Sequence, residues 1–245
     1  MILILGNNKD DLLYFETRLN DKKVEKIFNK YKVTIGNISN QSVILLHDVY
    51  TNTLSATLVS YLIEKYYVLF VIKVGKCHTI SPTLNPGDVV LSKKIMSMDI
   101  DVCDISGTSL GQIPSFPKNF EANVDLLKLA SSSFSKCSKV QTYSLTFMSS
   151  NKHFTSIDML KNYVHDDMIF NQNIKDVVFD SELYGVALAC NLHDIPFIGI
   201  NVVLGKVGAD FSTNNYIKVL RQYVNVGKSV VNIIGEMGSK EVLRD

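Results

Sequence analysis

The sequence predicts an α/β fold with a central, mixed and largely parallel β-sheet that is covered by helices on both faces. Strand-like and helix-like segments alternate along the chain, which is the order that builds a parallel sheet with crossover helices. Strand-like segments such as 2–5 and 67–74 are almost wholly apolar, as expected of strands buried on both faces. The 245 residues contain no repeat, low-complexity tract or composition break, so we expect a single domain spanning 1–245.

The individual elements are predicted from periodicity and turn residues. The apolar run 2–5 ends at Gly6-Asn7-Asn8 and leads into a mixed stretch at 10–19, which predicts a buried strand, a turn and a helix. Residues 32–49 predict a hairpin, because two β-branched runs flank a polar Asn-Gln centre. The further predicted elements, in chain order, are a helix at 53–66, a strand at 67–74, a turn at 85–88, a strand at 89–92, a helix near 121–133, a strand near 140–147, a helix near 156–164, a strand at 176–179, a helix at 182–192, a strand at 195–203 and a helix at about 214–234.

The order of elements also indicates where a ligand would bind. Residues 93–120 are irregular, and so long a segment inside a compact domain is usually functional. In open α/β sheets the ligand crevice lies beyond the carboxyl ends of the strands. Those ends are predicted at 6–11, 75–80, 147–154, 180–182 and 201–210.

Composition excludes several classes of function. Lys and Arg number 25 and Asp and Glu 24. The chain therefore lacks the excess of positive charge that would indicate nucleic acid or an anionic membrane as a partner. The four cysteines lack metal-ligand spacing, and we expect free thiols, no metal and no cofactor. The apolar start is too short for a signal sequence and no run is long enough to span a bilayer, so we expect a cytoplasmic protein with small-molecule or protein partners.

Two motifs carry a resemblance to a known family. Residues 81–90 are Ser-Pro-Thr-Leu-Asn-Pro-Gly-Asp-Val-Val, and Asp101-Val102 precedes Gly111-Gln112-Ile113-Pro114. In this order they resemble the methylthioadenosine/S-adenosylhomocysteine nucleosidases of the purine nucleoside phosphorylase superfamily, and the second motif separates these nucleosidases from the phosphorylases. The match covers nearly the whole chain. It implies a three-layer α/β/α sandwich that forms a homodimer, and hydrolysis of the N-glycosidic bond of adenine thionucleosides.

The chemistry that the resemblance implies uses three groups. A general acid protonates the purine, a carboxylate base activates water, and a further carboxylate holds the ribose hydroxyls. Adenine leaves poorly as an anion, and a positioned acid contributes roughly 10²–10⁴-fold. Carboxylates near the sugar stabilise the positive charge that develops on it.

The resemblance places carboxylates at three positions. Glu182 falls at the family's ribose-binding Glu, whereas Asp180 replaces a Glu and Ser181 replaces a Met that packs against the sugar. Without the resemblance, Glu182 would be a carboxylate at a helix N-terminus. Asp11 falls at the water-activating Glu but is one methylene shorter. A solvated charge in the first turn of a helix is an equal alternative for Asp11.

The general acid is missing from its expected position. Where the family has Arg-x-x-Ser-Asp, this chain has Asn201-Val202-Val203-Leu204-Gly205. Gly205 therefore occupies the position of the acid. Asp210 could substitute only if its loop folds back, and a surface aspartate is the alternative.

Other family positions are also altered. Of the family's Gly-Ser-Ala-Gly-Gly only Gly75 is kept, followed here by Lys76-Cys77-His78-Thr79, and Val49-Tyr50-Thr51-Asn52 replaces Gly-Ile-Gly-Lys. Lys76 and His78 are either anion-binding groups or an ordinary solvated lysine and hydrogen-bonded histidine.

Two aromatic residues are candidates for ligand contact. Phe154, with Phe147 as a competitor, and Tyr216 fall near the positions where the family stacks on adenine and lines the thioalkyl pocket. Core packing is the alternative for both.

Three functions remain open on this evidence. The first is a nucleosidase of weak or lost activity that uses Asp11, Asp180 and Glu182. The second is a non-catalytic dimeric protein that binds a nucleoside or another protein. The third is a phosphate-dependent phosphorylase in which Lys76 recruits phosphate, although a single lysine lacks the arginine cluster that phosphate recognition favours.

Overall fold

The computed structural model describes residues 1–138, 140–164 and 176–239. Its strands are β1 (Ile2–Gly6), β2 (Asn20–Ile27), β3 (Tyr31–Ile38), β4 (Gln41–Leu46), β5 (Phe70–Thr79), β6 (Val89–Ser97), β7 (Phe120–Glu121), β8 (Thr142–Ser149), β9 (Val177–Asp180) and β10 (Phe197–Lys206). Its helices are α1 (Lys9–Arg18), α2 (Asn52–Tyr66), α3 (Cys103–Ser106), α4 (Val124–Ser133), α5 (Ile157–Tyr163), α6 (Leu183–Leu192) and α7 (Thr213–Ser239). A π-helical turn, Phe134–Ser138, follows α4.

The strands form one mixed sheet that closes on itself at one end. Its order is β2-β3-β4-β1-β5-β9-β8-β6-β10, and β10 also pairs with β5, so five strands form a ring. Parallel pairing joins β4, β1, β5 and β10, and also β6, β8 and β9. Pairing is antiparallel between β2 and β3, between β3 and β4, between β5 and β9, and between β6 and β10.

Helices cover both faces of this sheet, as predicted. Side chains alternate along β1, so that Leu3 and Leu5 join the core beneath α2 and α6 whereas Ile2 and Ile4 join the core beneath α1, α4 and α7. Each core takes the apolar side of its helices, for example Leu58 of α2 and Leu126 of α4. The predicted three-layer α/β/α fold is confirmed.

Sequence patterns failed where strands are polar or irregular. β2 was not predicted, because it pairs only with β3 at the edge of the sheet and most of its side chains are exposed, so it has no apolar alternation. The prediction of irregular structure from 93 was wrong over 93–97, where β6 continues past a register shift between Ser92 and Lys94. The helix predicted from 121 begins at Val124, because Phe120 and Glu121 pair with β6.

The longest strands bring the candidate site residues together. β5 was predicted to end at residue 74 and β10 at 203, but they continue side by side to Thr79 and Lys206. Their carboxyl ends lie beside those of β8 and β9. None of the helices in the described ranges is both long and apolar enough to cross a bilayer.

Candidate active site

A cavity of about 400 Å³ opens at the carboxyl ends of the strands, where the sequence predicted a ligand crevice. Its volume lies within the range of small-molecule sites, roughly 300–1,000 Å³. Its walls come from the loops after β1, β4 and β8, from the turn between β9 and α6, and from the ends of β5 and β10. The lining residues are Asn7, Asn8, Tyr50, Thr51, Lys76, His78, Asn151, Lys152, His153, Phe154, Phe179, Asp180, Ser181, Glu182, Leu204 and Val207.

Asp11 is buried in the first turn of α1 and is held by three donors. The backbone N–H groups of Asn7 and Asn8 donate to its Oδ2 at 2.8 and 3.1 Å. Its Oδ1 forms an ion pair with the ammonium of Lys76. Because Lys76 lines the cavity, Asp11 reaches the cavity wall through this pair, and its carboxylate is already neutralised by a cation of the same chain.

A second ion cluster is centred on Lys73, a buried residue of β5. Its Nζ lies 3.4 Å from Oδ2 of Asp180, 3.3 Å from Oε2 of Glu182 and 3.2 Å from Oδ1 of Asn201. All three charged side chains are at most 2% exposed. Glu182, which the resemblance places at the ribose, and Asp180, which replaces a Glu of the family, therefore share one internal ammonium.

Burial and charge act in opposite directions within this cluster. Burial alone would lower the pKa of Lys73, but the carboxylates of Glu182 and Asp180 outweigh it and raise that pKa, so the lysine is protonated. Burial raises the pKa of Asp180, and Lys73 opposes this while Glu182 adds to it. The donors around the Asp180 carboxyl oppose the effect of burial but do not reverse it, so the pKa of Asp180 stays raised.

Hydroxyl and backbone donors orient the same two carboxylates. Ser149 Oγ donates to Oδ1 of Asp180 at 2.7 Å, and the N–H of Leu183 approaches the same oxygen at 3.4 Å. Ser181 donates to Oε1 of Glu182. Ser181 lines the cavity, so a hydroxyl stands where the resemblance implies an apolar methionine contact with the sugar.

Asp99 organises the loop that follows β8. It accepts from Ser150 Oγ at 2.5 Å, from the backbone N–H of Asn151 at 2.7 Å and from the hydroxyl of Tyr163 at 3.1 Å. This loop carries Phe154, which lines the cavity and stacks at a tilt on Tyr163 with ring centroids 5.3 Å apart.

Two histidines line the cavity beside its apolar wall. The rings of His78 and His153 meet edge to face at 5.6 Å between centroids. His78 is half-buried on β5 and His153 is exposed on the loop after β8. Burial lowers the pKa of His78, and the neighbouring His153 lowers it further, so the His78 imidazole is neutral at neutral pH.

The two glycines singled out in the sequence, Gly75 and Gly205, differ in the space that surrounds them. A Cβ on Gly75 would meet Asn7 Oδ1 at 2.3 Å and Lys73 Nζ at 2.6 Å, so a larger residue there would displace the Asn7 amide and the Lys73 ammonium. A Cβ on Gly205 would meet nothing within 4 Å. Leu204, the preceding residue, lines the cavity at a register shift of β10.

The remaining candidates lie outside the cavity lining, as far as the described residues define it. Asp210 is exposed, and the lining carboxylates are Asp180 and Glu182. The hydroxyl of Tyr216 donates to Asp10 at 2.7 Å, and its ring lies 5.9 Å from Nζ of Lys76. Phe147, the competitor of Phe154, is fully buried in the core.

Sequence patterns missed Lys73, Asn201 and Asp99. A usable signal existed for the first two, because each is a polar residue inside an otherwise apolar strand. Lysine is almost never fully buried without a partner, so a lysine at this point of β5 predicts an internal carboxylate. No comparable pattern marks Asp99, whose partners come from distant parts of the chain.

The comparison with known families agrees with this geometry. A family model described as the phosphorylase superfamily matches residues 1–234. The chain belongs to the phosphorylase superfamily. The resemblance to its nucleosidase members is likewise confirmed by the proteins that are similar in sequence and structure.

Within the phosphorylase superfamily, curated relatives match at low identity. A 5′-methylthioadenosine/S-adenosylhomocysteine nucleosidase of Buchnera aphidicola is 32% identical over 112 residues, which span 46% of this chain and 44% of that protein. A nucleosidase of the same name from Geobacillus is 26% identical over 57% of this chain and 60% of that protein. One from Bacillus velezensis is 23% identical over 95% of this chain and 97% of that protein.

Solved structures of the superfamily show the same fold. The nucleosidase from Neisseria meningitidis in complex with methylthio-immucillin-A has a TM-score of 0.82 at 18% identity, covering 96% of this chain and 98% of that chain. The nucleosidase from Colwellia psychrerythraea in complex with adenine has a TM-score of 0.83 at 20% identity, covering 96% and 94%.

Proposed function

We propose that this chain binds an adenine thionucleoside in the cavity and that its hydrolysis of the N-glycosidic bond is weak or lost. The proposal has two parts, a retained pocket and an impaired reaction. Different observations support each part, and one assay can separate them.

The retained pocket is supported by the composition of the cavity wall. The cavity wall combines the apolar side chains of Phe154, Phe179, Leu204 and Val207 with polar groups of the β9–α6 turn. Such a division suits a ligand with a flat apolar base and a hydroxylated sugar. Relatives of this chain are nucleosidases, and one similar structure holds adenine.

Impairment is supported above all by internal neutralisation of the carboxylates. Asp180 and Glu182 share the ammonium of Lys73, and Asp11 is paired with Lys76. A carboxylate that is already paired stabilises a cation-like sugar less, because its field is cancelled by the nearer ammonium. Asp11 must also leave the Lys76 pair, or act through it, to accept a proton from water.

The missing acid adds to this impairment. Gly205 carries no proton donor, and Asp210 is exposed away from the lining residues. A phosphorylase would need a free cation for phosphate, but Lys76 is paired with Asp11. The homodimer and the cytoplasmic location expected from the sequence stay predictions, and light scattering of the purified chain would test the former.

The test measures binding and turnover on the same preparation. Adenine release from methylthioadenosine and S-adenosylhomocysteine would be followed at high enzyme concentration, with and without phosphate, beside thermal unfolding with and without adenine. We expect adenine to raise the unfolding temperature, as any ligand of the native state does, with slow phosphate-independent release or none. Rapid hydrolysis would refute the impairment, and absence of any stabilisation by adenine would refute the pocket.

A further inference from the structure

The cavity contains few groups that could give a proton to a departing base. Breaking an N-glycosidic bond leaves an electron pair on the base, which therefore needs a positioned donor. Asp180 contacts Lys73 through one carboxylate oxygen and Ser149 through the other, so both of its oxygens are already engaged within the fold. Glu182 is likewise held by Lys73 and Ser181.

The lysines of the cavity are poorly placed for the same task. Lys76 is committed to the Asp11 carboxylate. Lys152 is exposed, with its ammonium 4.6 Å from the ring centre of Tyr163. The two histidines remain among the described lining groups, and His78 is the more buried of the two.

His78 lines the cavity where β5 runs between β9 and β10. On β5 it is the register partner of Gly205 on β10 and of Phe179 on β9. Because paired residues of adjacent strands project to the same face of a sheet, the open space over Gly205 lies beside the His78 ring. Phe179 and Leu204 also line the cavity here, so the imidazole is a polar group within an apolar slot.

The His78 ring is available to a ligand. Within 1–138, 140–164 and 176–239, its recorded side-chain contact is the edge-to-face pair with His153, and it makes no side-chain hydrogen bond. The other charged or titratable groups that line this cavity are Lys76 on the same strand, Asp180 on β9, Glu182 in the β9–α6 turn, Tyr50 on the loop after β4, and Lys152 and His153 on the loop after β8. β10 and the residue that follows it contribute Leu204 and Val207, neither of which titrates.

We propose that His78 is the residue that donates to the N7 ring nitrogen of the bound purine, as a hydrogen bond at neutral pH and as a proton at acidic pH. This rests on the proposed function. In the acidic reaction the imidazolium proton passes to N7, and the C1′–N9 bond breaks with its electron pair staying on adenine. A water oxygen bonds to C1′ and its proton passes to Asp11. The sum is nucleoside plus water giving adenine plus the free sugar, with His78 left neutral and Asp11 protonated; loss of the Asp11 proton to solvent and uptake of one by His78 restore the starting state.

The lowered pKa of His78 explains why such a donor would be weak at neutral pH. A neutral imidazole offers an N–H for hydrogen bonding but is a poor proton donor, and only the imidazolium is an efficient acid. Adenine release should therefore increase as the pH falls below the pKa of His78, until acid unfolding reverses the trend.

The experiment compares three variants across pH 5 to 8. His78→Asn keeps an N–H donor without a titrating ring, His78→Ala removes both, and His193→Ala is the matched control. His193 lies at the end of α6, where it bonds to Ser60 and Glu64, away from the cavity lining. Adenine affinity is measured by calorimetry and adenine release from methylthioadenosine by chromatography, with circular dichroism to verify folding.

We expect His78→Ala to weaken adenine binding by about tenfold, the loss of one hydrogen bond, and to lower acidic turnover by about 100-fold or more. His78→Asn should keep most of the affinity but lose the rise in turnover at low pH, and His193→Ala should match the wild type in both. If turnover is undetectable, the affinities alone decide. Wild-type affinity and pH profile in both His78 variants would overturn the role of His78 while leaving the proposed function intact. Absence of adenine binding by the wild type would overturn both.

Discussion

Replacing Lys73 by methionine should destabilise the fold through the two carboxylates that it leaves behind. Methionine nearly matches lysine in length, so the change removes the charge with little change in volume. The ammonium lies 3.4 and 3.3 Å from Asp180 and Glu182, and both carboxylates are at most 2% exposed. Removing one partner of a buried ion pair costs about 3–5 kcal/mol. For a chain of this size that lowers the unfolding temperature by roughly 6–20 °C.

The deficit should depend on pH in a defined direction. Asp180 has a raised pKa in the folded state, mainly through burial, and loss of Lys73 raises it further. Stability linked to its protonated form is present at low pH and is lost as the pH rises through the folded pKa. Lys73→Met should therefore be closer to the wild type at pH 5 than at pH 8. Adding Asp180→Asn should recover part of the loss at pH 8, since it removes one unpaired charge.

Denaturant and thermal unfolding followed by circular dichroism would measure this difference. Lys93→Met is the matched control, because Lys93 is an exposed lysine of β6, another strand of the same sheet, and its loss should cost less than about 0.5 kcal/mol. A Lys73→Met protein within 1 kcal/mol of the wild type at pH 8, or one with the same deficit at both pH values, would show that the carboxylates are solvated or neutral and would contradict the ion cluster.

Three further predictions address the rest of the cavity. Gly205→Asp places a carboxylic acid in open space and should raise adenine release at neutral pH by roughly 100-fold, whereas Gly205→Asn should not; equal rates in the two variants would argue against an absent acid as the defect. Asp99→Asn should loosen the loop 150–154 and cost about 1–3 kcal/mol of stability. It should also weaken adenine binding more than Lys93→Met does, and unchanged binding would show that this loop does not contribute to the site. Burial and the bond to Asp10 raise the pKa of Tyr216 to about 12, so the stability linked to its neutral form is lost as the pH rises through that value. Tyr216→Phe should remove one late-titrating phenol from the ultraviolet titration and reduce the alkaline dependence of stability, and a wild-type titration curve would refute this assignment.

The fold was predictable where burial imposes a pattern on the chain. β1 and β5 are buried on both faces, and their apolar runs indicated this directly. β2 has no buried face, so no pattern of apolar residues distinguished it from a loop. The end of β6 was missed for another reason, because Lys93 interrupts the apolar run at a register shift and the strand resumes its pairing with β8 beyond it.

The candidate site was predictable by position but not by interaction. The resemblance placed Lys76, Phe154, Ser181 and Glu182, and these residues meet at one cavity. Comparing the sequence with the family position by position could not reveal that Lys76 forms an ion pair with Asp11, because the two residues lie on α1 and β5 and are 65 positions apart.

Lys73 and Asn201 show most clearly why comparing one sequence position at a time gives an incomplete account of the site. In the sequence, the arginine that the resemblance implies at position 201 is absent. Lys73 is a single charged residue within an apolar run and shows no connection to that loss. In the sheet, residue 201 pairs with Gly75, and Nζ of Lys73 lies 3.2 Å from Oδ1 of Asn201. The chain therefore still supplies one buried cation beside residue 201, but from the neighbouring strand. Because that cation also contacts Asp180 and Glu182, it offsets part of their buried negative charge, and both carboxylates line the cavity already paired.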